Sequence, residues 1–258
     1  MSLNESMRRS LAYGKKYGVV LEAKRLEERL ISKNYYENKT IKEWMENNGS
    51  NLGKYGKREK EIYERKMKLA KELLKEIKKF EGILFMGVTG SVASEYPKEK
   101  DDIDLMIICK RNRLWKTRFW LRVMIFRKGI KHRKRGRRGN SDEFCFNLWL
   151  DEDSLKIPKV KRNLRNGMDM IMTKTLINRE GIYERYWKEN DWVKKYLINE
   201  YLRRERRYEK RERLKRGEVC WWHSWENWLY FWPQYWYMKL RKINKELVDS
   251  KRAFFHPF

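Results

Sequence analysis

The chain has 258 residues, enough for one large domain or two small ones, and sets 63 lysines and arginines against 36 acidic residues, a formal charge of +27. That balance suits polyanionic partners such as nucleic acid, nucleotides or an anionic membrane surface, and it equally suits a lysine-rich proteome in which many chains are basic. Cys109, Cys145 and Cys220 form no C-x-x-C pair and the three histidines show no ligand spacing, which excludes a disulfide framework and a zinc site; no apolar run reaches the roughly 18 residues of a spanning helix and MSLNESMRRS lacks a signal-peptide core, so a reduced, cytoplasmic protein with no membrane span is expected.

Residues 1–57 read as a small helical unit. Leu11, Val19, Leu26 and Leu30 line one face, and Ile41, Trp44 and Met45 begin another short helix whose Thr40 and Glu43 have capping-box spacing. Asn47-Asn48-Gly49-Ser50-Asn51 is a turn cluster. Both a winged-helix-like unit and a helical cap on the next domain fit; the absence of a clear recognition helix favours the cap. Residues 58–160 form the expected core domain. They open on a charged helix over 58–80, with Tyr63, Met67, Ala70, Leu74 and Ile77 as its apolar stripe.

The stretch 82–109 carries the chemistry. An apolar run, GILFMGV, ends in Gly90-Ser91; ten residues later Asp102-Ile103-Asp104 heads a second apolar run. Gly90 has no Cβ and lets backbone approach a bulky anion. Ser91 offers a hydroxyl, and a backbone N–H where a helix starts there. Asp102 and Asp104 alternate with Ile103 on a strand, so both carboxylates leave one face, the arrangement that holds Mg²⁺ against a triphosphate. Two Asp residues at a strand head need a reason, because Asp is disfavoured in strands.

This pattern resembles the nucleotidyltransferase superfamily that includes DNA polymerase beta: an apolar residue, Gly, Gly or Ser, a gap of about ten residues, then Asp-apolar-Asp, matched by Gly90, Ser91, Asp102 and Asp104 with Val88, Ile103 and Leu105 as apolar positions. GVTGSVA, DDIDLMII, NRLW, NLWLDED, QYWYMK and AFFHP are also similar to nucleotidyltransferase-domain proteins of small-genome microbes. The resemblance implies a small mixed sheet of the polymerase-beta type, a nucleoside triphosphate held at Gly90 and Ser91, and Mg²⁺ held by Asp102 and Asp104. It also implies a third carboxylate on the next strand. There, over 142–151, Phe144, Phe146, Leu148 and Leu150 are expected on one side and Cys145, Asn147, Trp149 and Asp151 on the other. The central position reads as Asn147, not an acid. Asp151 supplies the third acid, or Asn147 serves as an uncharged metal ligand, or two carboxylates and substrate phosphates suffice.

Between these strands, residues 111–129 read as a helix, with Arg113, Lys116 and Arg118 near its start facing a triphosphate or simply solvent. The basic run 127–138, RKGIKHRKRGRR, reads as a flexible loop suited to phosphate contact or to plain solvation. Residues 161–258 read as a helical C-terminal region, with Met168, Ile171, Met172 and Leu176 as an adaptable apolar set and an Arg/Glu run at 203–216. In CWWHSWENWLYFWPQYWYM, over 220–238, a helix packed on the core is the leading reading; a membrane-interface helix and base stacking are the others.

The expectation is therefore an α/β (α+β) protein with helical N- and C-terminal additions. Its expected activity is Mg²⁺-dependent nucleotidyl transfer to RNA, a protein or a small hydroxylated molecule. Asp102, Asp104 and Asp151 are the candidate catalytic acids, Gly90, Ser91, Arg113 and Arg118 the nucleotide contacts, and Asp102, Asp104 and Asn147 the metal ligands. A non-catalytic nucleic-acid binder on the same fold, or an antitoxin-like domain that modifies a partner protein, is the alternative.

Overall fold

The computed structural model describes residues 1–19, 22–48, 56–133, 140–209, 223–240 and 246–255. The apolar runs around the two aspartates become central strands, fully buried as runs with little polar alternation should be. They are β1 (Ile83–Val88) and β2 (Ile103–Cys109), followed by β3 (Phe144–Asp151). With β4 (Lys174–Asn178), β5 (Leu247–Asp249) and β6 (Arg252–Phe254) they form one six-stranded mixed sheet of order β4-β1-β2-β3-β6-β5. Only β2 and β3 run parallel; every other neighbouring pair is antiparallel.

Helices cover both faces. On one face α4 (Lys57–Ile77), α6 (Leu114–Arg127) and α10 (His223–Leu240) pack on Ile103, Leu105 and Ile107. On the other, α7 (Leu164–Met172), α8 (Ile182–Glu189) and α9 (Lys194–Glu209) pack on Met106 and Ile108. The first three helices, α1 (Leu3–Lys16), α2 (Ala23–Glu28) and α3 (Asn38–Asn48), enclose a separate small core of Met7, Leu26, Leu30, Ile41 and Met45. Among the described residues this unit contributes no hairpin. Its polar links run to α9 and to residues 94–95: Ser32 N donates to Tyr196 O at 2.8 Å, Tyr36 N to Asn199 Oδ1 at 3.2 Å and Arg29 Nη2 to Ser94 O at 3.0 Å, and Arg25 pairs with Glu95 at 2.6 Å. No described helix is long and apolar enough to cross a membrane.

Three features depart from the sequence reading. The buried stripe of α4 is Ile62, Lys66, Ala70, Leu73 and Ile77, with Tyr63, Met67 and Leu74 at its edge. The stripe is rotated because Lys66 is fully buried, where it donates to Asp101 O at 2.6 Å and pairs with Asp142 at 2.8 Å. Second, residues 161–258 are not purely helical: they supply β4, β5 and β6. Strands of three to five residues are too short to show a period against the helical pattern around them. Third, the β2–β3 ladder slips after Leu105↔Phe146 and resumes at Met106↔Leu148, leaving Asn147 as the extra residue of a bulge. Leu148 and Leu150 therefore lie on the face of Met106 and Ile108, while Trp149 joins the opposite core with Phe144 and Phe146.

Candidate functional site

The loop after β1 turns sharply at Gly90. Its φ of +66° is the left-handed conformation, and a Cβ there would lie 2.4 Å from Asp104 Oδ2. The turn continues into α5 (Gly90–Ala93), a single helical turn. Thr89 N donates to Asp104 O at 2.9 Å, tying the turn to the head of β2. Ile103 N donates to Glu143 O at 2.8 Å on the far side, and buried Lys66 holds Asp101 O from below. The strand head that bears the aspartates is thus fixed by backbone bonds on both flanks.

Gly90, Ser91, Asp102, Asp104 and Asn147 line one cavity of about 440 Å³. Much of the remaining lining comes from 161–173, together with Ile157, Tyr186 and Phe254. Lys161 ends a short 3-10 turn, Asn163 caps α7 by accepting from Asn166 N at 3.0 Å, and Arg165 stands on the first turn of α7. Asp101, Asp102 and Asp104 come from the head of β2 and Lys161 and Arg165 from 161–165, while α7 also brings a carboxylate, Asp169. Lys161 is buried and lies 5.7 Å from the centre of the Phe254 ring; burial pulls its ammonium down to about 8. A second cavity of about 290 Å³, lined by Tyr13, Tyr17, Arg29 and Met172, shares Gly90, Ser91, Asp101 and Arg165 with the first.

Carboxylate oxygens of Asp102 and Asp104 and the Cys145 sulfur lie within 4.8 Å of one another. Cys145 stands directly opposite Asp104 in the parallel ladder. Burial, then the Asp104 charge, pushes its thiol far up, so it stays protonated. Arg133 Nη1 donates to Asp102 Oδ2 at 2.9 Å and reaches Cys145 Sγ at 3.7 Å. Residues 131–133 are held beside β3, where Arg133 N donates to Phe144 O and Phe144 N to Lys131 O. The rest of the basic run, 134–138, lies outside the described residues.

The remaining candidates are elsewhere. Asp151 is fully buried at the other end of β3, beside Cys109, and does not line the cavity. It accepts from Asn112 N at 2.7 Å and Asp153 N at 3.1 Å, and burial lifts its carboxyl to about 7 against those bonds. It organises the β2–α6 loop. Arg118 is buried between α6 and α10, bonded to Gln234 and set over the Trp115 and Phe255 rings at 5.3 and 4.9 Å. Arg113 sits at the N-cap of α6 near Gly82. Neither arginine lines the cavity. Sequence reasoning passed over Lys161, Asn163, Arg165 and Asn166; it placed Arg133 only within the basic run and Cys145 only on the side of the strand that bears Asn147, giving neither a place beside the aspartates. The signal for the first four was a dense set of basic and amide residues directly after Pro158. For Cys145 it was the pairing of 144 with Ile103, which places 145 opposite Asp104.

Two carboxylates and an amide carbonyl are hard oxygen donors. They suit Mg²⁺ held by one or two carboxylates plus substrate phosphates, whereas a protonated thiol is a poor partner for a hard cation. The chain matches no protein-family profile, no curated protein and no solved structure.

Proposed function

We propose that this protein is a nucleotidyltransferase that binds a nucleoside triphosphate in the Gly90–Asp104 cavity and passes its nucleoside monophosphate to a hydroxyl acceptor. One observation carries the reading: Gly90, Ser91, Asp102 and Asp104 share a cavity with Lys161 and Arg165. Asp102 and Asp104, joined by the Asn147 carbonyl, would hold Mg²⁺. When bound, the metal neutralises the phosphates and lowers the pKa of the attacking hydroxyl. Ser91 and the bare Gly90 backbone receive phosphate oxygens. Lys161 and Arg165 offset the remaining phosphate charge, the role assigned from sequence to Arg113 and Arg118. The acceptor oxygen bonds the α-phosphorus as the bond to pyrophosphate breaks. Asp151 is left out because it lies beyond the cavity, so Asp102, Asp104, the Asn147 carbonyl and substrate phosphates would form the metal site. RNA, protein and small molecules remain the acceptor classes, and the charge of +27 favours RNA.

A second reading has its own support. The residue opposite Asp104 is a thiol, Cys145, and not an acid, and Arg133 already pairs with Asp102. That suits a nucleotide- or RNA-holding fold without transfer.

The test incubates labelled nucleoside triphosphates, Mg²⁺, total RNA and lysate protein with wild type, Asp102→Asn and Asp104→Asn. Label on an acceptor in wild type only, reduced by at least about 10²-fold in the variants, is expected. Label on one co-purifying protein identifies a partner-modifying role. Mg²⁺-dependent nucleotide binding with no transfer supports the holding fold; equal incorporation by all three proteins removes both carboxylates from the chemistry.

A further inference from the structure

Helix α10 is apolar on two sides. Its inner side is fixed to α6: Trp115 N donates to Asn227 Oδ1 at 2.8 Å, Gln234 Nε2 to Trp115 O at 3.0 Å, and Lys116 pairs with Glu226 at 2.6 Å. Phe231 and Met238 are buried beneath it. The outer side presents Trp225, Trp228, Leu229, Trp236, Tyr237 and Leu240, each about half exposed or more. The patch continues onto α6 through Phe119, whose ring lies 5.2 Å from that of Tyr230 and 5.4 Å from that of Trp120; Phe126, two turns further along α6, is 84% exposed. A helix apolar on both sides needs two apolar partners, and contiguous exposed apolar surface of this kind marks an interaction site.

The charges around the patch say what covers it. On α6 and α10 the only acid is Glu226, already paired with Lys116. Arg122 and Arg127 on α6 and Lys239 on α10 are exposed, and Lys239 lies 5.4 Å from the Trp236 ring centre. Trp and Tyr favour the boundary between headgroups and acyl chains, and basic side chains at its rim reach anionic headgroups. A second copy of this face would bring like charges together. A single-stranded nucleic acid needs cations interleaved with its stacking rings, whereas on α10 the one cation beside the outer rings is Lys239, at the end of the helix next to Trp236.

We propose that the α6–α10 face docks the protein on an anionic lipid surface, with α10 lying in the plane of the interface. The test sediments full-length protein with sucrose-loaded vesicles of phosphatidylcholine alone or mixed with phosphatidylglycerol, and reads tryptophan emission with bromine-labelled acyl chains. Co-sedimentation with the mixed vesicles only, and quenching by the brominated chains, is expected. Trp225→Ser/Trp228→Ser/Trp236→Ser lowers partitioning by at least about tenfold. The three side chains point outward, and thermal unfolding checks that the variant folds. Arg122→Glu/Lys239→Glu keeps every ring and is expected to abolish the preference for phosphatidylglycerol. Four results overturn the proposal: no vesicle binding by wild type; vesicle binding unchanged in both variants; binding to poly(U) but not to vesicles, lost in the tryptophan variant; or a solution dimer that the tryptophan variant dissolves, without vesicle binding.

Discussion

Gly90 and Asp104 are packed so closely that no side chain fits between them: a Cβ on Gly90 would stand 2.4 Å from Asp104 Oδ2, at a backbone φ of +66°. The glycine answers two demands, the left-handed turn and the approach of a carboxylate. Gly90→Ala therefore combines a left-handed penalty of about 1–2 kcal/mol with displacement of Asp104. The expected result is a lower melting temperature and loss of Mg²⁺-dependent nucleotide binding. In an Asp104→Ala background the clash is gone, so the same substitution should cost measurably less there. A double-mutant cycle with no coupling would contradict this geometry.

Arg133 bears on how tightly the acid pair holds a cation. Its guanidinium sits 2.9 Å from Asp102 Oδ2 and offsets part of the charge available to a metal. Arg133→Ala should tighten Mg²⁺ binding by the nucleotide-free protein, roughly tenfold at low salt and less at high salt. Titration calorimetry at two ionic strengths reads both effects, and weaker binding by the variant would reverse the argument.

On the proposed function, Lys161 sets a pH limit on nucleotide binding. Burial lowers its ammonium to about 8, so in the free protein it is charged below that pH and neutral above it. On the proposed function, KM for the nucleoside triphosphate should rise as pH passes through about 8 while kcat changes little. Lys161→Arg should remove that rise, because arginine remains charged. A profile that is the same in wild type and Lys161→Arg would exclude a phosphate contact by Lys161.

Asp151 predicts a pH effect on stability rather than on catalysis. Its carboxyl is raised from 3.8 to about 7 by desolvation, so the folded state favours the protonated form. Its stabilising contribution is complete below about pH 4 and is lost as pH rises through about 7; each tenfold in proton affinity is worth about 1.4 kcal/mol. Wild type should lose melting temperature from pH 4 to 7 more steeply than Asp151→Asn. At neutral pH the variant retains the cavity lined by Asp102 and Asp104, so on the proposed function label transfer per folded molecule should persist. Loss of transfer with unchanged stability would return Asp151 to the active site.

Much of the central sheet was legible from period and punctuation. The apolar runs of β1, β2 and β3 are local signals, and so is a glycine at the end of a strand. The alternation of Asp102, Ile103 and Asp104 put both carboxylates on one face, and both do line one cavity. Alternation failed at Asn147, because a bulge depends on neighbouring strands: β2 resumes one residue late on one side, and on the other Phe255 N donates to Asn147 O at 3.0 Å. That slip moved the flanking side chains to other faces. Lys66 likewise broke the α4 stripe because its partners, Asp101 and Asp142, are distant in sequence.

The sequence by itself determined the glycine–serine turn, the aspartate pair and their shared strand face, since backbone geometry couples residues two apart without help from the rest of the chain. Only the tertiary structure decided which cations enter the cavity, that Arg118 is buried away from it, that Cys145 faces Asp104, and that Asp151 serves a loop instead. Those choices rest on packing between segments tens of residues apart, and no local period encodes such contacts.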